Sequence, residues 1–178
     1  ELKDWNGNTK QVINVSQSLK GRAQFCHYQD IINILEGFPA RVYGTGNEDL
    51  GGLNGGDLSY HLLKEKMRDS RVAVYGGTWP APYTLSLMEY MMTGIPVVAI
   101  GKHLAENIPQ VKTFEFYEVH EIIQNGVNGF VSDSIAELRK YIEMLLSDYE
   151  LAKKIGTAGR QTAPKAWAHW NLLLPAWP

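Results

Sequence analysis

The chain has 178 residues, of which 44% are hydrophobic and 20% are charged, and such values are typical of a globular protein of one domain. Its 17 Lys and Arg against 19 Asp and Glu give a formal net charge of −2. This balance gives no sign of a nucleic-acid partner, which asks for a basic surface. The single cysteine, Cys26, has no partner for an internal disulfide, which fits a reducing compartment such as the cytoplasm.

Strand-like and helix-like patterns alternate along the chain. β-Branched, apolar runs predict strands at 11–17, 38–46, 71–77, 95–101 and 128–133. Apolar residues at helical spacing predict helices at 27–37, 59–69, 83–94, 121–126, 134–148 and 149–161, with an irregular stretch at 102–119. Short strands that are apolar on both faces indicate an α/β fold with a Rossmann-like parallel sheet and helices on both faces.

Sheets of this kind bind ligands beyond the carboxyl ends of their strands, so the loops 16–26, 44–57, 76–84 and 101–106 are the candidate ligand segments. Gly44 and Gly46 lie in the second of these loops. The dinucleotide fingerprint requires a third glycine where Asp49 stands. The loop is therefore either a plain flexible turn or a backbone that lies beside a ligand.

The segment at 76–84 predicts an anion site. Pro80 and Pro82 precede a helix that is expected to start near Tyr83, and the first amides of a helix attract anions. The predicted site consists of the amides of Tyr83, Thr84 and Leu85 together with the Thr84 hydroxyl. The alternative is an ordinary helix started by proline.

Glu89 lies in the middle of an apolar helix, YTLSLMEYMMTG. A carboxylate in such a place costs free energy unless it has a partner. Two alternatives to a ligand remain open, namely a side chain turned to solvent or an ion pair with a lysine. The histidines show no spacing typical of metal ligands, so we predict no metal site.

Two stretches, MEYMMTGIPVVAIG and HEIIQNGVNGFVSDSIAELRKYIEMLLSDYELAKKIGTAGRQ, resemble the C-terminal half of retaining glycosyltransferases of the GT-B fold, the large family four. The resemblance implies a domain that binds a nucleoside-diphosphate sugar without a metal or other cofactor. It also implies a missing N-terminal acceptor domain. The full enzyme would be a cytoplasmic hexosyltransferase-like protein that can also work at the membrane surface.

The resemblance also implies roles for individual residues. Glu89 matches the family's second conserved glutamate, which binds the ribose hydroxyls, whereas the first glutamate is replaced by Ala81. Gln17 stands at the family's arginine position and Arg22 at its lysine position, with Lys20 close by. The two cations are expected to stabilise the leaving diphosphate.

We expect three segments: residues 1–10 as a linker from the missing domain, 11–163 as the donor-binding domain, and 164–178 as an apolar tail that favours self-association. Two other functions stay open, a non-catalytic nucleotide-binding or regulatory domain and a sugar-nucleotide epimerase of the same fold. A phosphoacceptor signalling domain is disfavoured because it needs an aspartate where Tyr75, Gly76 and Gly77 stand.

Overall fold

A computed structural model describes residues 5–81, 83–107 and 117–173, with side chains as far as Pro164. The strands are β1 (Thr9–Val15), β2 (Ala40–Tyr43), β3 (Asn54–Gly56), β4 (Ser70–Tyr75), β5 (Val97–Ile100) and β6 (Phe130–Ser132). The helices are α1 (Ala23–Cys26), α2 (Tyr28–Leu35), α3 (Tyr60–Asp69), α4 (Leu85–Thr93), α5 (Lys102–Glu106), α6 (Val119–Ile122), α7 (Ile135–Ser147) and α8 (Tyr149–Leu173). A 3₁₀ segment, Glu48–Leu53, joins β2 to β3.

The six strands form one parallel sheet in the order β3-β2-β1-β4-β5-β6. Val12 of β1 lies opposite Ala40 of β2 on one side and opposite Val72 of β4 on the other. β2 and β3 therefore lie on one side of β1, and β4, β5 and β6 lie on the other. The connections that follow β1 and β4 run in opposite directions along the sheet. In sheets with such a switch point, ligands bind beyond the carboxyl ends of the strands on either side of it. The predicted Rossmann-like α/β fold is confirmed.

β4 and β5 are buried along their whole length because helices cover both faces of the sheet. Every residue of β4 and β5 is buried, as expected for parallel strands between two helical layers. α2 contacts α7 in one layer, and α4 contacts both α3 and α8 in the other. Arg139 of α7 joins the first layer, since its Nη1 donates to the carbonyls of Asn33, Ile34 and Glu36 at 2.9, 3.1 and 2.7 Å.

Close packing of α8 on the end of α4 requires two glycines. Gly94 ends α4 with a φ of 83°, and its N–H donates to the carbonyls of Tyr90 and Met91, both at 3.1 Å. A Cβ on Gly156 of α8 would collide with the Gly94 carbonyl. This contact fixes the C-terminal end of α4, the helix that carries Glu89.

Several predicted element bounds are wrong. The stretch 102–119 is not wholly irregular, because α5 lies in it, and the helix predicted at 121–126 is α6, which ends at Ile122. α1 and β3 were not predicted at all, since four- and three-residue elements show no periodicity.

The last helix continues beyond its predicted end. α8 passes through Pro164 and runs to Leu173, although an interior proline removes one hydrogen bond and clashes with the preceding turn. Nearby alanines at 158, 163, 166 and 168 are the strongest helix formers. The side chains of the apolar tail lie outside the described part, so self-association stays a prediction. None of the described helices is both long and apolar enough to cross a bilayer.

The described part of the predicted linker, residues 5–10, packs on the domain. Trp5 Nε1 donates to the Ser70 carbonyl at 2.8 Å, and the Trp5 ring stacks on Tyr149 with centroids 5.6 Å apart. The N–H groups of Asn6 and Gly7 donate to the Arg68 carbonyl at 3.1 and 3.0 Å. These contacts attach the segment before β1 to both β4 and α8.

Candidate functional site

The loops that follow β1 and β2 are joined by Asn47, a residue that sequence reasoning missed. Asn47 is fully buried, and its Nδ2 donates to the carbonyls of Ser16 and Gly44 at 2.6 and 2.9 Å. Its Oδ1 accepts the Leu19 N–H at 2.9 Å. One side chain thus satisfies three backbone groups across two loops and fixes the segment that carries Lys20 and Arg22.

Gly44 and Gly46 allow these two loops to approach each other. Gly44 has a φ of 131°, and a Cβ there would lie 2.5 Å from the Ser16 carbonyl oxygen. Gly46 has a φ of 76°, and its Cβ would lie 3.2 Å from the Ser18 Cβ. Both positions therefore require glycine for backbone geometry. A direct contact of Gly44 or Gly46 with a ligand stays a prediction.

The loop between β4 and α4 is attached to α1. The Trp79 N–H donates to the Phe25 carbonyl at 2.8 Å, and the two rings stack with centroids 5.9 Å apart and planes 13° apart. Cys26 Sγ lies 3.7 Å from Thr78 Oγ1 in the same contact. These interactions hold the loop after β4 against the helix that begins after Arg22.

The start of α4 differs from the prediction by two residues. The helix begins at Leu85, with Thr84 in extended conformation at the N-cap. The Thr84 N–H donates to the Tyr75 hydroxyl at 2.8 Å, and Thr84 Oγ1 lies 2.8 Å from Ser86 Oγ. The Thr84 amide is therefore occupied, and the amides that a helix leaves unpaired begin at Leu85. The helix start predicted near Tyr83 is therefore two residues too early, and contact of the Tyr83, Thr84 and Leu85 amides with an anion stays a prediction.

Two buried tyrosines, Tyr75 and Tyr83, lie next to the start of α4. The Tyr75 ring is buried, and burial raises the pKa of its hydroxyl to about 12, so it stays protonated while it accepts the Thr84 amide. Tyr83 is only 5% exposed. Burial, and then the charge of Glu118, raise the pKa of Tyr83 to about 12. The Tyr83 hydroxyl is therefore neutral near pH 7.

The two predicted cations differ in their surroundings. Lys20 Nζ lies 3.7 Å from Asp49 Oδ2, and both side chains are about half exposed. Arg22 occupies the N-cap position of α1, where its N–H donates to the Ser18 carbonyl at 2.8 Å. No described residue forms an ion pair with Arg22. Arg22 is thus the cation available for an anionic ligand, and Gln17 stands exposed in the same loop.

Glu89 lies on the second turn of α4 and is half-buried. No described cation lies within ion-pair distance of its carboxylate, so the lysine alternative is wrong. Its neighbour is Tyr60, the first residue of α3. Burial raises the pKa of Tyr60, and the negative charge of Glu89 raises that pKa further.

His27 is a buried polar residue at the same edge of the sheet. It is 5% exposed, and its φ is 50°. Its Nδ1 lies 3.3 Å from Asp30 Oδ2, whereas Nε2 has no hydrogen-bond partner. Burial lowers the pKa of His27, and the Asp30 carboxylate partly opposes that shift. Within the described ranges, no group of three or more His, Cys, Asp or Glu could hold a metal ion.

Comparisons with known proteins find similarity in structure alone. No family model and no curated protein matches the sequence. A Staphylococcus aureus TarM variant, solved with Fondaparinux, alpha-GlcNAc-glycerol and UDP, superposes with a TM-score of 0.63 at 15% identity over 97% of this chain and 37% of TarM. Anabaena HepE in complex with UDP gives 0.61 at 19% identity over 89% of this chain and 44% of HepE.

A third structure is similar to the chain over nearly its whole length. The C-terminal domain of a glycosyl transferase group 1 family protein (LpcC) from Francisella tularensis gives a TM-score of 0.55 at 17% identity, over 88% of this chain and 85% of that domain. At such identities the likeness establishes the fold and nothing finer. This chain spans less than half the length of TarM and HepE.

Proposed function

We propose that this chain is the nucleotide-sugar-binding domain of a glycosyltransferase. The observation behind the proposal is that Arg22 and Glu89 have no ion-pair partner among the described residues and lie on the segments that follow β1 and β4, the two strands at the switch point of the sheet. A nucleoside diphosphate offers an anion to the first charge and a diol to the second. The likeness of the fold to structures solved with UDP supports the same ligand class.

The proposed roles follow from the chemistry of the donor. When the bond between the sugar's anomeric carbon and the diphosphate breaks, negative charge develops on the departing oxygens. Arg22 and the first amides of α4, which begin at Leu85, stabilise that charge. Lys20 contributes less, because the Asp49 carboxylate partly neutralises its ammonium group. Glu89 accepts hydrogen bonds from the two ribose hydroxyls.

The finer assignments belong to this proposal as well. We infer transfer with retention of anomeric configuration, without a metal, in a longer protein of glycosyltransferase family four whose N-terminal domain binds the acceptor. The inference depends on the motifs around Glu89 and on the short share of TarM and HepE that the chain spans.

A screen of thermal stability tests the proposal. UDP, GDP, ADP and their glucose conjugates are each added to the chain, because a ligand that binds only the folded state raises the melting temperature by mass action. We expect at least one nucleoside diphosphate to raise it in a saturable way, and inorganic phosphate to have a much smaller effect. If none of these compounds shifts the melting temperature of the folded chain, the proposal is overturned.

A non-catalytic nucleotide-binding domain is the second candidate. Ala81 stands where the resembled family has its first glutamate, and Gln17 where it has an arginine. Ala81 donates its N–H to the Thr78 carbonyl at 2.8 Å and offers no side-chain polar group to a sugar. If the diphosphate and its sugar conjugate raise the melting temperature equally, this second candidate is favoured.

A further inference from the structure

A polar cavity with a volume of about 360 Å³ lies beside α3, over one face of β1, β2 and β3. It reaches the amino ends of two central strands, because its lining includes Thr9, the first residue of β1, and Ser70, the first residue of β4. Asp69, the last residue of α3, also lines it. Arg22 and Glu89 instead follow the carboxyl ends of β1 and β4. The cavity is therefore distinct from the proposed nucleotide site.

The packing of Tyr43 explains how the floor of the cavity is built. Ile13 of β1 lies opposite Arg41 of β2, and side chains alternate along a strand, so Gln11, Arg41 and Tyr43 share one face of the sheet. A Cβ on Gly55 of β3 would lie 2.6 Å from the Tyr43 ring, so a glycine there lets the ring lie against β3. The Tyr43 hydroxyl donates to Gln11 Oε1 at 3.4 Å. These contacts fix a buried aromatic ring and an amide in the floor.

Two cations line the cavity, Arg41 of β2 and Lys66 of α3. Neither forms an ion pair with a described residue. Arg41 Nη1 donates to the Ala40 carbonyl at 2.8 Å, and the guanidinium has further N–H groups for a ligand. Asp69 carries the one carboxylate among the described lining residues, and its Oδ1 accepts the Asn6 Nδ2 at 2.7 Å. Two positive charges against one negative charge favour an anionic ligand.

The uncharged part of the lining suits a ligand with hydroxyl groups. Asn54 Oδ1 accepts the Gly56 N–H at 2.9 Å, and its Nδ2 can donate to a ligand. Leu58 is the one aliphatic side chain among the described lining residues, so an apolar ligand would bury little surface here. The other uncharged polar side chains that line the cavity are Thr9, Gln11, Tyr43 and Ser70.

We propose that this cavity binds a small sugar or polyol that carries a phosphate or a carboxylate. Arg41 and Lys66 bind the anionic group, and the amides and hydroxyls of the lining bind the hydroxyls of the ligand. The inference does not rest on the proposed function, because none of the described lining residues belongs to the nucleotide site.

The alternative is a pair of solvated surface cations with no ligand. Lys66 lies in the last turn of α3, where a positive charge stabilises the end of a helix, and Arg41 is exposed. These roles explain the two charges but predict no binding of a polyol anion. Binding measurements therefore separate the two explanations.

The test is calorimetric titration of the chain with sorbitol 6-phosphate and with gluconate, and sorbitol is the neutral probe. We expect saturable binding of at least one of the two anions, and at least tenfold weaker binding of sorbitol. Arg41→Met and Lys66→Met should each weaken binding of the anion by about tenfold or more. Lys10→Met is the matched control, because Lys10 is an exposed cation of β1 next to Gln11 and so on the opposite face of the sheet.

Arg22→Met separates this cavity from the nucleotide site. It should leave the affinity for the polyol anion unchanged, as should Lys10→Met. The inference is overturned if the folded chain binds neither anion, if sorbitol binds as tightly as the anions, or if Arg41→Met or Lys66→Met keeps the full affinity. Equal weakening by Lys10→Met or by Arg22→Met would overturn it as well. Failure of the chain to bind nucleotides would overturn the proposed function and leave this inference intact.

Discussion

Glu89 and Arg22 are the two charged residues on which the proposed site depends, and neither is neutralised within the described part of the chain. Among the described residues, neither Glu89 nor Arg22 forms an ion pair. A charge that is half-exposed and unpaired contributes little to folding. Changes at these positions should therefore affect ligand binding more than stability.

Glu89→Gln keeps the shape of the side chain but removes its charge. Hydrogen bonds to a charged group are worth about 1.5–3 kcal/mol each, so affinity for a nucleoside diphosphate should fall by roughly ten- to a hundredfold. The melting temperature of the empty chain should stay nearly constant, because no ion pair is broken. Calorimetry and thermal unfolding measure the two quantities, with Glu143→Gln on the exposed side of α7 as control. A variant that melts early but binds normally would show that Glu89 serves the fold alone.

Arg22→Met and Lys20→Met should differ in their effects on the same binding. Arg22→Met removes the unpaired cation, so we expect a loss of about tenfold or more in affinity for the diphosphate. Lys20→Met removes a cation that Asp49 already neutralises, so its effect should be about threefold at most. Titration at low and moderate salt measures both. Equal losses for the two variants would contradict the assignment of Arg22 as the principal diphosphate ligand.

At the scale of elements, the loop after β1 and the loop after β2 form one unit. Asn47 satisfies backbone groups of both, and Gly44 lets the two backbones approach. Since the loop after β1 carries Arg22, this unit positions a proposed ligand residue. Its integrity is a condition for binding as well as for folding.

Gly44→Ala should destabilise the chain far more than Gly52→Ala. Gly44 has a φ of 131°, a conformation that is strained for other residues, whereas Gly52 lies outside the positive-φ region. A Cβ at Gly44 would lie 2.5 Å from the Ser16 carbonyl oxygen, whereas nothing lies within 4 Å of one at Gly52. We expect a loss of about 2–4 kcal/mol for Gly44→Ala and less than about 1 kcal/mol for Gly52→Ala. Chemical denaturation measures both, and equal losses would show that the contact with Ser16 relaxes freely.

Local sequence patterns predict the long elements, but they miss short elements that depend on contacts with distant parts of the chain. Alternating β-branched residues identify β1 and β4, and Ser59 identifies the start of α3, where its Oγ accepts the Leu62 N–H at 3.5 Å. β3 contains two glycines in three residues, so no local pattern marks it. Pairing with β2 alone makes it a strand.

The candidate site follows the same rule. Glu89 and Arg22 were each identified by resemblance within their own short segment of the sequence. Asn47 was missed because its partners lie far away in sequence. Asn47 bonds to residues 28 and 31 positions earlier.

At the scale of the whole molecule, His27 should make stability depend on pH. Burial lowers the pKa of His27 from 6.5, so in the window below 6.5 the unfolded chain binds a proton that the folded chain does not. The stability from the neutral imidazole is complete above about pH 6.5 and is lost as pH falls below it. The free energy of unfolding should therefore decrease from pH 7.5 to pH 5.

His27→Asn should flatten this dependence, since asparagine tolerates the φ of 50° and does not titrate. His61→Gln is the matched control, because the His61 side chain is 79% exposed. Denaturation at several pH values measures each slope. An unchanged slope in His27→Asn would show that other groups cause the pH dependence.

A domain that binds a nucleoside diphosphate with its own residues should do so without a metal ion. The most direct measurement is calorimetric titration of the 178-residue chain with UDP, GDP and ADP in the presence of EDTA. We expect saturable binding of one nucleotide per chain for at least one of the three, weakened by Glu89→Gln and by Arg22→Met. Absence of binding by the folded chain, or binding that appears only after magnesium or manganese is added, would contradict the proposed function.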